Sequence, residues 1–145
     1  MTTRQTVEKY YELLMAGKFE DAGKFVSPNA KRWISGEGSW PFGGRQTAQS
    51  VAEVYAIIRR RFPKGLQISV EGIIVEAHRA SVNIRNYAER LDGRIYDNQI
   101  VFLLRVEDGL IVEQKEFLDT IMVKELFCGE IDDTSGRGIE GLKHS

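Results

Sequence analysis

The sequence predicts an α+β domain in which helices come first and a curved antiparallel sheet follows, with a ligand-sized pocket between them. Three observations carry that prediction. Apolar residues recur at helical spacing through the N-terminal half. From Leu66 onward the period drops to two. Two Asp-Gly pairs, Asp92-Gly93 and Asp108-Gly109, punctuate the second half as hairpin turns do.

The first helix runs from about Arg4 to Met15, with Val7, Tyr10, Tyr11 and Leu14 on one stripe. Thr2 and Gln5 have capping-box spacing, and Gly17 ends the helix as a left-handed cap residue does. A short second helix places Phe19, Ala22 and Val26 on one side, and Pro28 stops it. Ala30 to Ser35 forms a short strand around Trp33. The glycine-rich stretch from Gly36 to Gly44 holds Trp40 and Phe42, and reads either as a flap over a cavity or as rings packed on the edge of the core. A third helix, Arg45 to Phe62, carries Val51, Val54, Tyr55, Ile58 and Phe62 as its stripe and ends at Pro63 and Gly65.

Four strands follow: Leu66 to Ala77, a turn at His78-Arg79, Ala80 to Leu91, Arg94 to Val106, and Leu110 to about Phe127. The Asp92-Gly93 turn is expected to be a two-residue hairpin with positive φ at both positions. From Gly129 the chain is polar and without period. The expected organisation is one domain over residues 1–127 and a flexible tail over 128–145.

Composition removes several function classes. At 145 residues, with 20 basic against 21 acidic side chains and a net charge of −1, nothing draws the chain to nucleic acid or to an anionic membrane. Arg59-Arg60-Arg61 reads as a solvated helix face, because no aromatic residues interleave with it. The one cysteine, Cys128, excludes an internal disulfide and suits a reducing cytoplasm. No apolar leader or bilayer-length apolar run occurs. Gly136-Arg137-Gly138-Ile139-Glu140-Gly141 matches a dinucleotide fingerprint in letters only, since no strand–helix unit surrounds it. His78 and His144 form no metal cluster, so neither cofactor nor metal is expected.

Alternation sorts the strands by face. Asn83, Arg85 and Tyr87 share one face, and Val82 and Ile84 the other. Asn98, Ile100, Phe102 and Leu104 oppose Val101 and Leu103. Val112, Gln114, Glu116 and Leu118 oppose Ile111, Lys115, Phe117 and Asp119. A central strand that is apolar on both sides is expected either to bury its back in a homodimer formed back to back through the sheets or to lie over its own neighbours. The other face is expected to gather Asn83, Arg85, Asn98 and Glu116 in a polar-lined cavity, since burying such groups in a solid core is costly.

The stretch Asp92-Gly93-Arg94-Ile95-Tyr96-Asp97-Asn98-Gln99-Ile100-Val101-Phe102, then Asp108-Gly109-Leu110-Ile111, then Glu116-Phe117-Leu118-Asp119, resembles the SnoaL-like, ketosteroid-isomerase-related branch of the nuclear transport factor 2-like superfamily. Tyr10-Tyr11-Glu12-Leu13-Leu14 followed by Gly17 is similar to that family's first helix. The resemblance covers roughly residues 5 to 127. It implies a cone-shaped, cystatin-like α+β roll whose sheet packs on three helices of the N-terminal half. Such a fold hosts isomerases, cyclases, hydrolases and non-catalytic modules. Limonene epoxide hydrolase in this superfamily uses an Arg–Asp pair and a further Asp, and the matching positions hold Asn83, Arg85 and Glu116. That set is incomplete. The ketosteroid isomerases use a tyrosine that matches Tyr10, but their two acids fall near Ile34 and near Ile100 or Phe102, which carry no proton. SnoaL-like cyclases use a cavity acid, a role open to Glu116 or Asp119.

Glu116 is therefore the expected acid/base. Arg85 is expected either to pair with it or to hold a ligand oxygen, and Tyr10 and Tyr87 to donate hydrogen bonds or to serve as core rings. Asn98 is expected to orient a ligand or to satisfy backbone groups. Trp33, Asn83, Ile100, Phe102, Gln114, Leu118 and Asp119 complete the expected lining. The expected partner is a small apolar or carbonyl-containing molecule, undergoing cofactor-independent proton transfer; the alternatives are a non-catalytic binding protein or a dimeric adaptor.

Overall fold

Helix α1 (Thr3–Met15) begins where the Thr2 hydroxyl accepts the Gln5 amide at 3.1 Å while the Gln5 side chain takes the Thr2 amide at 2.9 Å. It ends at Gly17, whose φ of 75° closes the last turn. These details come from a computed structural model, which describes residues 1–131. Helix α2 (Phe19–Gly23) follows, and the chain enters strand β1 (Val26–Ile34). Pro28 lies inside that strand instead of ending a helix. The pairing of β1 is irregular between Val26 and Lys31, which accommodates a residue with no amide hydrogen.

The loop after β1 is folded onto the core. Trp40 is buried, donates its indole N–H to the Ser35 carbonyl at 2.9 Å and meets the Phe42 ring edge-on. The loop is too tight to carry a side chain at Gly43, where a Cβ would run into the Gly36 carbonyl. Its rings cover the core edge, the second of the two expected roles. Strand β2 (Gly44–Arg45) leads into helix α3 (Ala48–Arg61), which starts three residues later than the apolar stripe implies because Thr47 and Ser50 form its capping box.

Strands β3 (Gln67–Glu76), β4 (Arg79–Glu89), β5 (Ile95–Glu107) and β6 (Leu110–Phe117) form the expected meander. The sheet order is β2-β1-β6-β5-β4-β3. One pair, β1 with β6, is parallel, so the sheet is mixed and not wholly antiparallel. After Phe117 the chain leaves the sheet. Asp119 caps helix α4 (Thr120–Val123) by accepting the Ile121 and Met122 amides, and a π-helical turn (Lys124–Cys128) continues it. The strand expected to reach Phe127 thus stops ten residues early. Cys128 and Ile131 are buried; residues 132–145, which make up most of the expected tail, lie outside the described residues.

Two apolar clusters hold the layers together. The first joins α1 to the inner face of β4, β5 and β6 through Val7, Tyr11, Val82, Ile84, Ile100 and Phe102. The second joins the end of α3 to the 120–128 segment through Ile57, Phe62, Tyr96, Val123 and Phe127. Leu118 packs against both.

Arg61 corrects the expectation of a solvated arginine run: its side chain is fully buried. It donates to the Gly129 and Leu126 carbonyls at 2.6 and 3.3 Å. Arg90, also buried, takes the Asp92 carboxylate in a two-bond fork at 2.6 and 2.9 Å and reaches the carbonyls of Glu125, Leu126 and Glu130. Together the two guanidiniums fasten the end of the π-helical turn, where carbonyls have no helical partner. Burial and the charge of Arg90 lower the Arg61 pKa to about 10, which leaves it charged at neutral pH. Replacing Asp92 with Ala strands the buried Arg90 charge. Urea denaturation should show a loss of about 3–5 kcal/mol for Asp92→Ala, against less than about 1 kcal/mol for the exposed control Asp21→Ala.

Candidate functional site

Sheet register decides which polar groups face the helices. Between β4 and β5, Asn86 pairs with Asn98, Ile84 with Ile100 and Val82 with Phe102. The inner face of β4 is therefore Val82, Ile84, Asn86 and Ala88. Asn83, Arg85 and Tyr87 lie on the outer face. The expectation that they join Asn98 and Glu116 is overturned by a single residue of register. A two-residue Asp92-Gly93 turn would have paired Arg85 with Ile100. The actual loop spans Leu91–Gly93: the Arg90 amide donates to the Arg94 carbonyl, and positive φ occurs at Gly93 but not at Asp92. Asp92 is held by Arg90, and that ion pair fixes the longer turn.

On the outer face Arg85 is bound by Asp97, at 2.7 and 2.6 Å, and sits over the Tyr87 ring. This pairing raises the arginine pKa and lowers that of Asp97. Arg85 does not pair with Glu116. Trp33 also faces outward, against Phe117 with ring centroids 5.3 Å apart.

A bulge turns Glu116 inward. Val106 pairs with Ile111, but Arg105 pairs with Glu113, so Val112 is an extra residue in β6. Ile111 and Gln114 thereby face the same side, where simple alternation would separate them. Gln114 comes opposite Leu104 and Glu116 opposite Phe102. On β1, Arg32 pairs with Gln114 and Ile34 with Glu116, which sets Arg32 on this inner face too.

The structure thus gathers Glu116, Gln114, Asn98, Ile100, Phe102, Leu118 and Tyr10 on the helix-facing side. Sequence reasoning missed Arg32, Tyr11, Tyr55 and Tyr96, which act electrostatically on this group. The signal for Arg32 was present: it lies two residues from the apolar Ile34 and so shares its face, and the size of Trp33 drew the inward assignment to the wrong side of the strand. Tyr55, on α3, stands near enough to Tyr10 to raise its pKa.

The Glu116 side chain has no hydrogen-bond or ion-pair partner among the described residues, yet it is partly buried in the inner face. Desolvation pushes its pKa up to about 7, against a smaller opposing pull from Arg32. The surrounding phenols are protonated donors at neutral pH. Burial pushes Tyr10 up to about 12, and it raises Tyr11 and Tyr96 further; the Glu116 charge adds to all three. The Tyr11 hydroxyl and the Gln114 carbonyl are buried without a partner. Asn98 is fully committed: its amide donates to the Tyr96 hydroxyl and the Asp119 carbonyl, and its oxygen accepts the Asp119 amide. Asp119 is a helix cap, removed from Glu116 by its exposed carboxylate.

Two open grooves flank β1. One, of about 370 Å³, runs between β1 and the start of α3 and includes Arg32, Val26, Pro28 and Val51. The other, of about 250 Å³, includes Trp33, Arg45, Gln114 and Lys115. Neither contains Arg85. Among the described residues no group of three or more His, Cys, Asp or Glu gathers as a metal site, and no helix is long and apolar enough to cross a membrane.

The SnoaL-like domain family matches residues 7–114, well over half of the chain. The chain belongs to the SnoaL-like family. No curated protein matches this SnoaL-like chain in sequence. Among solved structures it is similar to a cystatin-like-fold protein of unknown function from Xanthomonas campestris, with a TM-score of 0.74, 20% identity, and coverage of 88% of this chain and 98% of that one. An NTF2-like protein of unknown function from Burkholderia pseudomallei gives 0.71, 17% identity, and coverage of 86% and 96%. Wild-type IdmH from Streptomyces antibioticus, a proposed polyketide cyclase, gives 0.68, 19% identity, and coverage of 84% and 95%. At these identities the likeness shows the fold alone, an α+β roll.

The raised Glu116 pKa has a consequence for stability. An unfolded glutamate ionises near 4.5 and the folded one near 7. Between those values the native state keeps a proton that the unfolded chain has released, so this residue makes stability fall as pH rises through the window. Glu116→Gln removes the penalty for ionisation. Urea denaturation should show the variant more stable than the parent by about 1–3 kcal/mol at pH 8, with the difference closing at pH 4.

Proposed function

We propose that this SnoaL-like chain is a cofactor-independent enzyme that moves a proton on a small, largely apolar carbonyl compound, with Glu116 as acid/base. One observation carries the reading: a carboxyl group faces the helices, partly buried and without a protein partner, in surroundings that hold its pKa near neutrality. A group in that state gives and takes a proton with little cost at pH 7. Tyr10 and Tyr11 supply donors that stay protonated while charge develops on a substrate oxygen. Leu118 and Phe102 supply apolar walls beside the carboxyl. The single cysteine, buried and free, fits the reducing cytoplasm in which we place the protein.

The reading is checked with 2-tetralone, an apolar ketone with acidic α-protons, whose exchange in D₂O is followed by NMR. The parent should accelerate exchange, and Glu116→Gln should cut that acceleration by about 100-fold or more. Equal rates in the two proteins would remove Glu116 from the chemistry.

We further propose that the outer sheet face pairs two copies of the chain. Ile74, Val101, Leu103 and Phe117 lie there 72%, 37%, 38% and 40% exposed, and Trp33 adjoins Phe117. Register places them in adjacent rows, as one patch. Light scattering should give twice the chain mass for the parent and one chain mass for the double variant Val101→Asp/Leu103→Lys, with its circular dichroism unchanged. A monomeric parent would sink this part.

A further inference from the structure

Proton transfer at Glu116 leaves Arg32 without a role. Its guanidinium has no hydrogen-bond or ion-pair partner among the described residues. The two fully buried arginines are held, Arg61 by carbonyls and Arg90 by Asp92. Arg32 is partly buried, and two acceptors stand on the same sheet face: Gln114 directly opposite and Glu116 one pair along. It takes neither. The Gln114 carbonyl is left buried with no donor, and Glu116 is left without a salt bridge.

Arg32 also lines the groove of about 370 Å³, a volume within the range of small-molecule sites. The other walls are apolar where β1 meets α3: Val26, Pro28, Ala30, Ala48 and Val51. The groove lies where the start of α3 meets β1, just past the Gln46 amide that donates to the Arg32 carbonyl at 2.9 Å. Ser27, Gln46 and Thr47 add neutral polar groups to that lining, and Arg32 is its one charged side chain. A guanidinium presents paired donors that match the two oxygens of a carboxylate or of an enolised dicarbonyl.

We propose that the groove binds an organic anion with an apolar body, its charged oxygens taken by the Arg32 fork. This deepens the acid–base reading and rests on it for the reaction that follows. Binding itself does not require Glu116 to act. Gln114 stands opposite Arg32 on β6 and Glu116 one pair along, although neither lines this groove.

The test is calorimetric titration of the full chain with 2-naphthoate and with its neutral counterpart 2-naphthamide. The parent should bind naphthoate about ten-fold or more tightly than the amide. Arg32→Met should abolish that preference, and Arg32→Lys, which keeps charge but loses the fork, should retain part of it. Arg32→Gln guards against misfolding of the methionine variant, with melting curves recorded for each. Equal affinity for acid and amide in the parent, binding of neither probe, or a preference that survives in a folded Arg32→Met or Arg32→Gln protein would overturn the proposal. Glu116→Gln separates the two readings. Retained naphthoate preference together with unchanged tetralone exchange leaves the anion site standing and sinks the acid–base role.

Discussion

Residue parity in the sheet is the constraint on which the site depends. A strand shows alternate residues to opposite faces, so one inserted residue inverts everything beyond it. Val112 is such an insertion. Without it Glu116 would face outward beside Val101, in water, with an ordinary carboxylate pKa. With it the carboxyl lies opposite Phe102 and under α1. The three-residue turn at Leu91–Gly93 is the second insertion of this kind, and it sends Arg85 out with Asp97. The bulge brings the carboxyl in and the turn takes Arg85 away, which leaves Glu116 among phenols with Arg32 as the cation that acts on it.

These insertions mark the boundary of what the sequence made legible. Period and turn chemistry sufficed for the helices, the meander and their order, because each rests on local forces: the capping box at Thr2, the left-handed Gly17, the Asp108-Gly109 turn with positive φ at both positions. Glu116 was legible as the acid inside, together with Tyr10, Asn98, Ile100, Phe102, Gln114 and Leu118. The arginine beside it was not. The Asp92 turn is set by a buried ion pair to Arg90, and the Val112 bulge by pairing with a strand many residues away. Both are tertiary events that a propensity cannot report. Arg61 failed for a similar reason: three arginines in a row read as surface, and only the carbonyls of a later segment reveal that one of them is needed inside.

The interior electrostatics are uneven in a way that bears on function. Buried charges normally come with partners, as Arg90 and Asp92 do. Along the inner face of β1 and β6 that rule lapses. Arg32 and Glu116 share a face without pairing, and the Tyr11 hydroxyl and the Gln114 carbonyl go unmatched nearby. Each unmatched group costs stability. Several such costs in one neighbourhood, in a sheet otherwise packed with Val, Ile, Leu and Phe, are the signature of a surface shaped for something other than the fold.

The two arginine anchors explain how the fold tolerates that neighbourhood. The second apolar cluster is secured at the far end by Arg61 and Arg90, which grip the carbonyls of residues 125–130. Arg61 is itself the last residue of α3, so its bonds tie the end of that helix directly to the segment. The last turn of α3 packs with the 124–128 segment through Ile57 and Phe62, while Thr47, Ala48 and Val51 of its start line the groove beside β1. Leu118, two residues beyond Glu116, is the residue at which the two clusters meet. One helix thus joins the two regions: its end is bonded to the anchored segment through Arg61, and its start lines the groove that holds Arg32.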